Sequence, residues 1–334
     1  MLNGMTQLAR TPLLLLDYAA GLGMDRDVLV KVAGLSQKDL ADPDSRIRSA
    51  SMLKLWRAVI DRHDDSALGV HIGSTIRATE LGLVGYAMYH ARDLHDALGS
   101  LARYGRIISE AVQFKLVEDD EHAILIWQAH PSLVALRHPV ECGIAIVVSV
   151  AREITGSDLQ PLQVELPSPR PELSAEYRAV FRCPVLFDRS VGSVTFSRQQ
   201  IELSTIASDT TLAGYLGDLA AITVKPLAER DVSAISAVRH VLWSLLPSGR
   251  HDLWRTAADM DINARTLQRR LGEEGSSFSR VLDDLRRDLA NELLSDRKLA
   301  VSEVAFLLGY SEPSAFQRAF RRWYDDSPRR FRTA

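Results

Sequence analysis

What most limits this chain is a pattern that occurs twice in its last eighty or so residues. Residues 252–271 and residues 301–323 each read as a helix, a tight turn and a second helix. In the first unit the second helix is Asn263-Ala264-Arg265-Thr266-Leu267-Gln268-Arg269-Arg270-Leu271. In the other it begins Glu312-Pro313-Ser314-Ala315-Phe316-Gln317-Arg318 and runs to Trp323. Two crossing helices of this kind need small residues at the crossing and a turn residue with an unusual backbone. They also need a second helix with one apolar and one polar face. In the C-terminal unit Ala305 suits the crossing, Gly309 the turn, Ser311 the N-cap and Pro313 the first helical turn. In the first unit Ala257 and Ala258 suit the crossing, Asn263 is the N-cap, and Leu267 and Leu271 point inward. Asp261 stands where glycine would be most comfortable; aspartate accepts a left-handed backbone better than most residues, though less well than glycine.

The polar faces carry Arg265, Gln268 and Arg269 in one unit and Ser314, Gln317, Arg318, Arg321 and Arg322 in the other. Arginine and glutamine can hydrogen-bond base edges in a major groove, and arginine also meets phosphates. Residues 278–294 form the helix between the units, roughly 25 Å long at 1.5 Å per residue. Such a rod can hold two reading helices against successive major-groove faces, about 34 Å apart along the duplex. A plain helical bundle with a solvated arginine face explains one such unit somewhat less well than DNA reading does. It explains a tandem pair much less well.

Composition neither forbids nor demands this. With 334 residues the chain can hold two cores, and 46% hydrophobic with 25% charged residues is ordinary for a globular protein. The formal charge of -3 hides an asymmetry, roughly -5 up to Lys225 and +2 beyond it. Two cysteines, Cys142 and Cys183, are too few for a disulfide framework and fit a reducing cytosol. The apolar run 13–16 is broken by Asp17 without a cleavage pattern, and no window reaches the roughly 18 apolar residues of a membrane helix. A cytoplasmic protein with no membrane partner is expected.

The first two thirds read as α+β. Helices are expected at 11–20, 25–32, 49–62, 82–89 and 93–104, then a β-hairpin from 112–116 and 122–127. A buried helix follows at 138–154, a strand at 162–166, a helix at 172–181, and strands at 185–187 and 193–196. A helix at 208–220, a linker at Thr223-Val224-Lys225-Pro226 and a helix at 232–246 lead into the helical end. The expected division is an α+β effector-binding or oligomerisation domain at 1–207, a linker helix and linker at 208–231, and an all-α DNA-binding domain at 232–334.

The segment Arg265–Leu271, then Gly275 and Phe278, Ala305, Leu308-Gly309-Tyr310-Ser311-Glu312-Pro313-Ser314-Ala315-Phe316, Ala319-Phe320-Arg321-Arg322-Trp323, Ser327-Pro328 and Phe331-Arg332 resemble the AraC/XylS family of bacterial transcription regulators. The match is dense over about eighty residues. It implies base contacts from Arg265, Gln268 and Arg269 and from Ser314, Gln317 and Arg318, with Arg321 and Arg322 nearer phosphates. Asp261 departs from the family's usual glycine. More weakly, Gly34-Leu35, Leu68-Gly69, residues 81–87, the helix 94–98 and Arg103-Tyr104 resemble the sensor domain of the subgroup containing ornithine-responsive and virulence regulators. That resemblance implies an effector or oligomerisation domain, the effector being a small molecule; the family resemblance as a whole implies RNA polymerase as a partner and activation as the habitual outcome. A homodimer through the N-terminal domain or the helix 208–220 is a further expectation.

Other chemistry is weaker. Trp56, Tyr86, Tyr104 and Trp127 are candidates for an apolar effector pocket, though aromatics at helical spacing are more often plain core. His138, Glu141 and Cys142 share a helical face and could form a metal pair or an activated thiol, against the blander reading of a buried helix. No phosphate loop or nucleophile elbow occurs. No cofactor, metal or catalytic residue is therefore expected. The alternatives are a regulator controlled only by its abundance, and an enzyme centred on His138, Glu141 and Cys142.

Overall fold

A computed structural model describes every residue except Met1, Glu172, Leu173, residues 230–232, Arg250, Asp296, Lys298 and Ala334. The expected domain boundary at 231/232 and the expected helix starts at Glu172 and Val232 fall outside the described residues. The chain forms two compact units. One comprises Leu2–Ala129 with Leu136–Leu227; the other comprises His130–Ala135 with Ala228–Ala334.

The first unit is α+β. Its two short strands β1 (Thr6–Leu8) and β2 (Arg46–Arg48) pair antiparallel. Its main sheet has β3 (Val112–Glu118), β4 (His122–Ala129), β5 (Gln163–Glu165), β6 (Val185–Leu186) and β7 (Gly192–Ser197), in the order β3-β4-β7-β5-β6. Only β5 and β6 run parallel. The expected hairpin is present, with Val112 opposite Ala129 and Glu118 opposite Ala123. Along β4 burial alternates, so Ala123, Leu125, Trp127 and Ala129 face the core.

Behind the sheet lies the helix His138–Thr155, whose buried residues occupy most of its circumference. The helix Leu68–Thr75 presses against it through Gly69 and Gly73. A Cβ on Gly69 would stand 2.2 Å from the His138 carbonyl oxygen, and one on Gly73 would stand 2.3 Å from that of Cys142. Backbone meets backbone there, and no side chain fits. His71 lies inside this helix.

The helix Thr210–Glu229 corrects the expected linker, since Thr223, Val224, Lys225 and Pro226 all lie within it. Pro226 lacks the N–H that would bond to the Ile222 carbonyl. Both residues are exposed, so water can serve that carbonyl and the helix continues through the proline. The second unit is helical, with Ala234–Leu245, Leu253–Asp259, Ala264–Glu273, Phe278–Leu294, Val301–Leu307, Pro313–Tyr324 and Pro328–Thr333.

Gly73→Val must drive the paired helices apart, and it should lower stability by about 1–3 kcal/mol or more in urea denaturation. Gly99, with nothing nearer its would-be Cβ than Arg103 Nη2 at 3.9 Å, serves as the control. Gly99→Ala should be neutral or raise stability by up to ~1 kcal/mol. Equal losses from both would mean that close helix approach is not what Gly73 provides.

Candidate nucleic-acid interface

The first reading helix is fixed at its N-terminal end. Leu253–Asp259 starts at Asp252, whose carboxylate accepts the Arg255 N–H at 2.9 Å. The chain then turns through Asp261 at φ 53°, the left-handed conformation expected there. Asn263 Oδ1 accepts the Thr266 N–H at 2.8 Å and starts Ala264–Glu273. Ala264, Leu267 and Leu271 are buried, while Arg265, Gln268, Arg269 and Arg270 are exposed. Arg269 pairs with Glu273 one turn on. Arg265 and Gln268 have no hydrogen-bond or ion-pair partner among the described residues.

In the second unit Ala305 is fully buried at the crossing, and Gly309 turns the chain at φ 74°. A Cβ on Gly309 would lie 2.7 Å from the His251 ring and 2.8 Å from the Leu246 carbonyl oxygen. Conformation and space therefore both demand glycine. The N-cap of Pro313–Tyr324 is Glu312 and not the expected Ser311; its side chain makes no capping bond, and Pro313 occupies the first turn, where no N–H is needed. Phe316, Ala319 and Phe320 are buried. Phe320 packs edge-on against Phe316 and Phe331, with ring centroids 5.6 and 5.3 Å away.

The polar face carries Ser314, Gln317, Arg318, Arg321 and Arg322, all exposed. Ser314 Oγ donates to Glu312 at 3.2 Å. Gln317, Arg318 and Arg321 have no partner among the described residues. Arg322 is tied to Asp283 of the connecting helix Phe278–Leu294, and Trp323 Nε1 donates to the other oxygen of that carboxylate at 2.8 Å. Asp283 thus fixes the rotation of the second reading helix.

Arg286, one turn further along the connecting helix, joins the two helix-turn-helix motifs. Its Nε donates to the Leu308 carbonyl at 2.9 Å and its Nη2 to the Gly309 carbonyl at 3.2 Å. The guanidinium lies over the Tyr310 ring at 4.3 Å. Nη2 also approaches His251 Nε2 at 2.7 Å. A guanidinium only donates, so Nε2 is the acceptor and His251 is neutral with its proton on Nδ1. Burial, reinforced by the Arg286 charge, pulls the His251 imidazole down to about 4. Neither Asp283 nor Arg286 stands out in the sequence, where they are two charges among many on a mostly polar helix.

The remaining candidates lie in the first unit. Trp56 and Trp127 are core residues, and Trp127 covers Gly143 so closely that a Cβ there would meet its ring at 2.6 Å. Tyr86 is exposed, and Tyr104 lines a hollow of about 260 Å³ with Arg92, Asp96 and Arg103. His138 Nδ1 and Arg137 Nε lie 3.3 and 3.2 Å from the buried carboxylate of Glu141. Burial, with the Glu141 charge alongside, pushes the Cys142 thiol up to about 12, so it stays protonated and is not an activated nucleophile. A cluster that the sequence did not reveal places His71 between Asp65, 2.8 Å from Nδ1, and Glu176, 3.3 Å from Nε2. The two carboxylates approach opposite ring nitrogens, and one ligand atom from each of the three residues lies within 4.8 Å of the others.

An α+β unit followed by a helical unit with two exposed reading helices defines a two-domain helix-turn-helix regulator. Comparison with known families agrees. The arabinose-binding domain of AraC transcription regulator, N-term, matches residues 23–204, and a helix-turn-helix domain matches residues 256–334. The chain belongs to the AraC family of transcription regulators. It is 28% identical over 324 residues to the ornithine utilization regulator of Pseudomonas aeruginosa, covering 96% of this chain and 94% of that one. The regulator VirS of Mycobacterium tuberculosis is 42% identical over 88 residues, 26% of each chain. The crystal structure of the regulator CdpR from Pseudomonas aeruginosa covers 92% of this chain and 96% of that chain at 21% identity, with a TM-score of 0.46. No helix among the described residues is long and apolar enough to cross a membrane.

The low value for His251 carries a pH dependence. Unfolded, it takes up its proton near 6.5; folded, only near 4. Its contribution to stability is complete above about pH 6.5 and is lost as the pH falls towards 4. His251→Gln keeps an acceptor for Arg286 but does not titrate. Urea denaturation should show the wild type losing more stability than H251Q between pH 7.5 and 5. Parallel losses in the two proteins would acquit this histidine.

Proposed function

We propose that the helical unit reads a promoter site with both helices at once. Arg265, Gln268, Arg269, Ser314, Gln317 and Arg318 meet base edges, and Arg321 meets phosphate. One observation carries this reading. Two helices are each held by buried apolar residues, and each shows solvent a polar face whose Arg and Gln residues are largely unpaired. Stability needs no such unpaired row; double-stranded DNA supplies partners for it. Arg322 fits a dual role, held by Asp283 and still exposed enough to approach the backbone.

The α+β unit, in this reading, takes a small metabolite and sets whether the bound regulator recruits RNA polymerase, with activation as the outcome. The arabinose-binding-type match over residues 23–204 supports a ligand-binding role. A relative whose name concerns ornithine use makes basic amino acids the first metabolites to try. Binding to the native state raises the melting temperature, so a thermal-shift panel tests this half. A flat response across the panel and no effector-dependent transcription would leave control by abundance.

Mapping bound genomic fragments supplies the operator, and titrations on it test the rest. Arg318→Ala should cost about 1–3 kcal/mol at the operator and much less on random DNA. Arg321→Ala should weaken both alike and reduce the salt slope by about 1. Equal losses on both DNAs for Arg318→Ala would remove it from the base-reading set.

A further inference from the structure

The cluster of Asp65, His71 and Glu176 in the α+β unit takes no part in the roles proposed above. It joins three places in the chain: Asp65 just ahead of the helix Leu68–Thr75, His71 inside it, and Glu176 on the helix Ser174–Phe181. Buried neighbours hold these places together. Tyr177, fully buried beside Glu176, donates its hydroxyl to the Ser66 carbonyl at 2.9 Å, and Arg137 donates to the same oxygen. The residue after Asp65 is thereby tied to the residue after Glu176. Asp65 Oδ1 accepts the Ala67 N–H and Oδ2 accepts from His71 Nδ1, both at 2.8 Å. With its proton on Nδ1, the neutral ring carries a lone pair on Nε2. Glu176 Oε2 lies 3.3 Å from that nitrogen, is shielded from solvent, and has no hydrogen-bond partner among the described residues.

We propose that His71 Nε2 and Glu176 Oε2 bind a divalent transition-metal ion of the zinc class, with Asp65 as the positioning residue and water in the remaining places. Distance is the first argument. Bonds of about 2.0 Å in a tetrahedron set neighbouring ligand atoms ~3.3 Å apart, and the two atoms stand at that separation. The unmet oxygen is the second. If the cluster were only an imidazolium between two carboxylates, Nε2–H would donate to Glu176. That bond is not made, and a shielded carboxylate oxygen is left without a partner. An ion between the two atoms satisfies both. The third is the order Asp65, His71, ion, in which a carboxylate fixes the tautomer and rotation of a metal-binding imidazole. Two carboxylates with a neutral ring carry two negative charges, which a dication balances. The imidazole selects the zinc class over calcium or magnesium, which take oxygen ligands. Bound there, the ion staples the helix Leu68–Thr75 to the helix Ser174–Phe181. A second grouping among the described residues, Asp93, His95 and Asp96, has His95 Nε2 already hydrogen-bonded to Glu118 at 2.8 Å, and it provides the control. The proposal depends on neither the effector reading nor the DNA reading.

The test is isothermal titration of zinc chloride into the full chain after chelator treatment, with circular dichroism on every variant to confirm the fold. The wild type should take up zinc with micromolar affinity, and zinc should raise its melting temperature. His71→Gln and Glu176→Gln should each weaken binding by about 100-fold or more, and His95→Gln should leave it unchanged. Asp65→Ala should weaken it ~10–100-fold, the usual loss for a group that orients a ligand. Asp65→Asn, which still accepts from Nδ1, should restore much of that loss. Glu176→Gln keeps the shape of a part-exposed side chain, so it carries the test if His71→Gln does not fold. No zinc uptake by the wild type overturns the proposal. So does uptake only at millimolar zinc, which means an adventitious ion only. Unchanged affinity in Glu176→Gln also overturns it, by placing the ion elsewhere in the chain.

Discussion

The geometry of the helical unit depends on one side chain, Arg286. From the middle of the connecting helix it holds two carbonyls at the turn of the second helix-turn-helix, the face of Tyr310, and the ring of His251 at the entrance to the first. A turn and an entry loop, normally the most mobile parts of such a motif, are tied to one rigid rod. Gly309 makes this possible, because a side chain there would occupy the space of the His251 ring. The guanidinium cannot lose its charge at any biological pH, so the neutrality of His251 follows from its neighbour. A protonated ring would set two cations against each other in a half-buried space.

The same economy of position governs the α+β unit. Glu110 is buried, which by itself would raise its pKa. The hydrogen bonds from Thr6, and the charges of Arg106 and Arg46, outweigh that and hold it lowered. This carboxylate therefore staples β1 and β2 to the chain just before β3, across about a hundred residues. Gly69 and Gly73 act in the opposite way, by having nothing to place between two backbones. One device uses a polar group fully satisfied, and the other uses no group at all.

Much of this was legible in the residues, for identifiable reasons. The reading helices announce themselves because Leu267, Leu271, Phe316 and Phe320 keep the helical period and Asn263 sits where a cap belongs. Ser311 misleads because the proline two residues on fixes the helix start, and Glu312 takes the cap position by backbone geometry alone. Pro226 misleads more seriously, since proline usually ends a helix and the local sequence does not say that the orphaned carbonyl will face water. The three-residue strands β1 and β2 are too short for a period, and their pairing is set by Glu110, far along the chain. Asp65, His71 and Glu176 are joined only by the fold. The exposed polar face that marks the proposed DNA-reading residues is local, and so it shows. The pairing of Asp283 with Arg322 is not, and so it does not.

Charge needs the same distinction between total and place. Beyond Lys225 the acids almost cancel the bases, which would argue against a DNA-binding surface. Their positions reverse that inference. Asp252 caps a helix, Glu303 accepts the Ala300 N–H, and Glu274 takes the Ser233 hydroxyl with the N–H groups of Ala234 and Ile235. Asp288 pairs with Arg239 and Asp283 with Arg322. These carboxylates complement helix N-termini and hold elements together. Among the arginines left without such a partner, Arg265, Arg270, Arg318 and Arg321 lie on the two exposed helices, where no acid answers them among the described residues. These helices therefore offer a few uncompensated cations on a nearly neutral domain. In the proposed reading, electrostatic attraction to arbitrary DNA is then modest, and a larger share of the binding energy rests on contacts that depend on sequence.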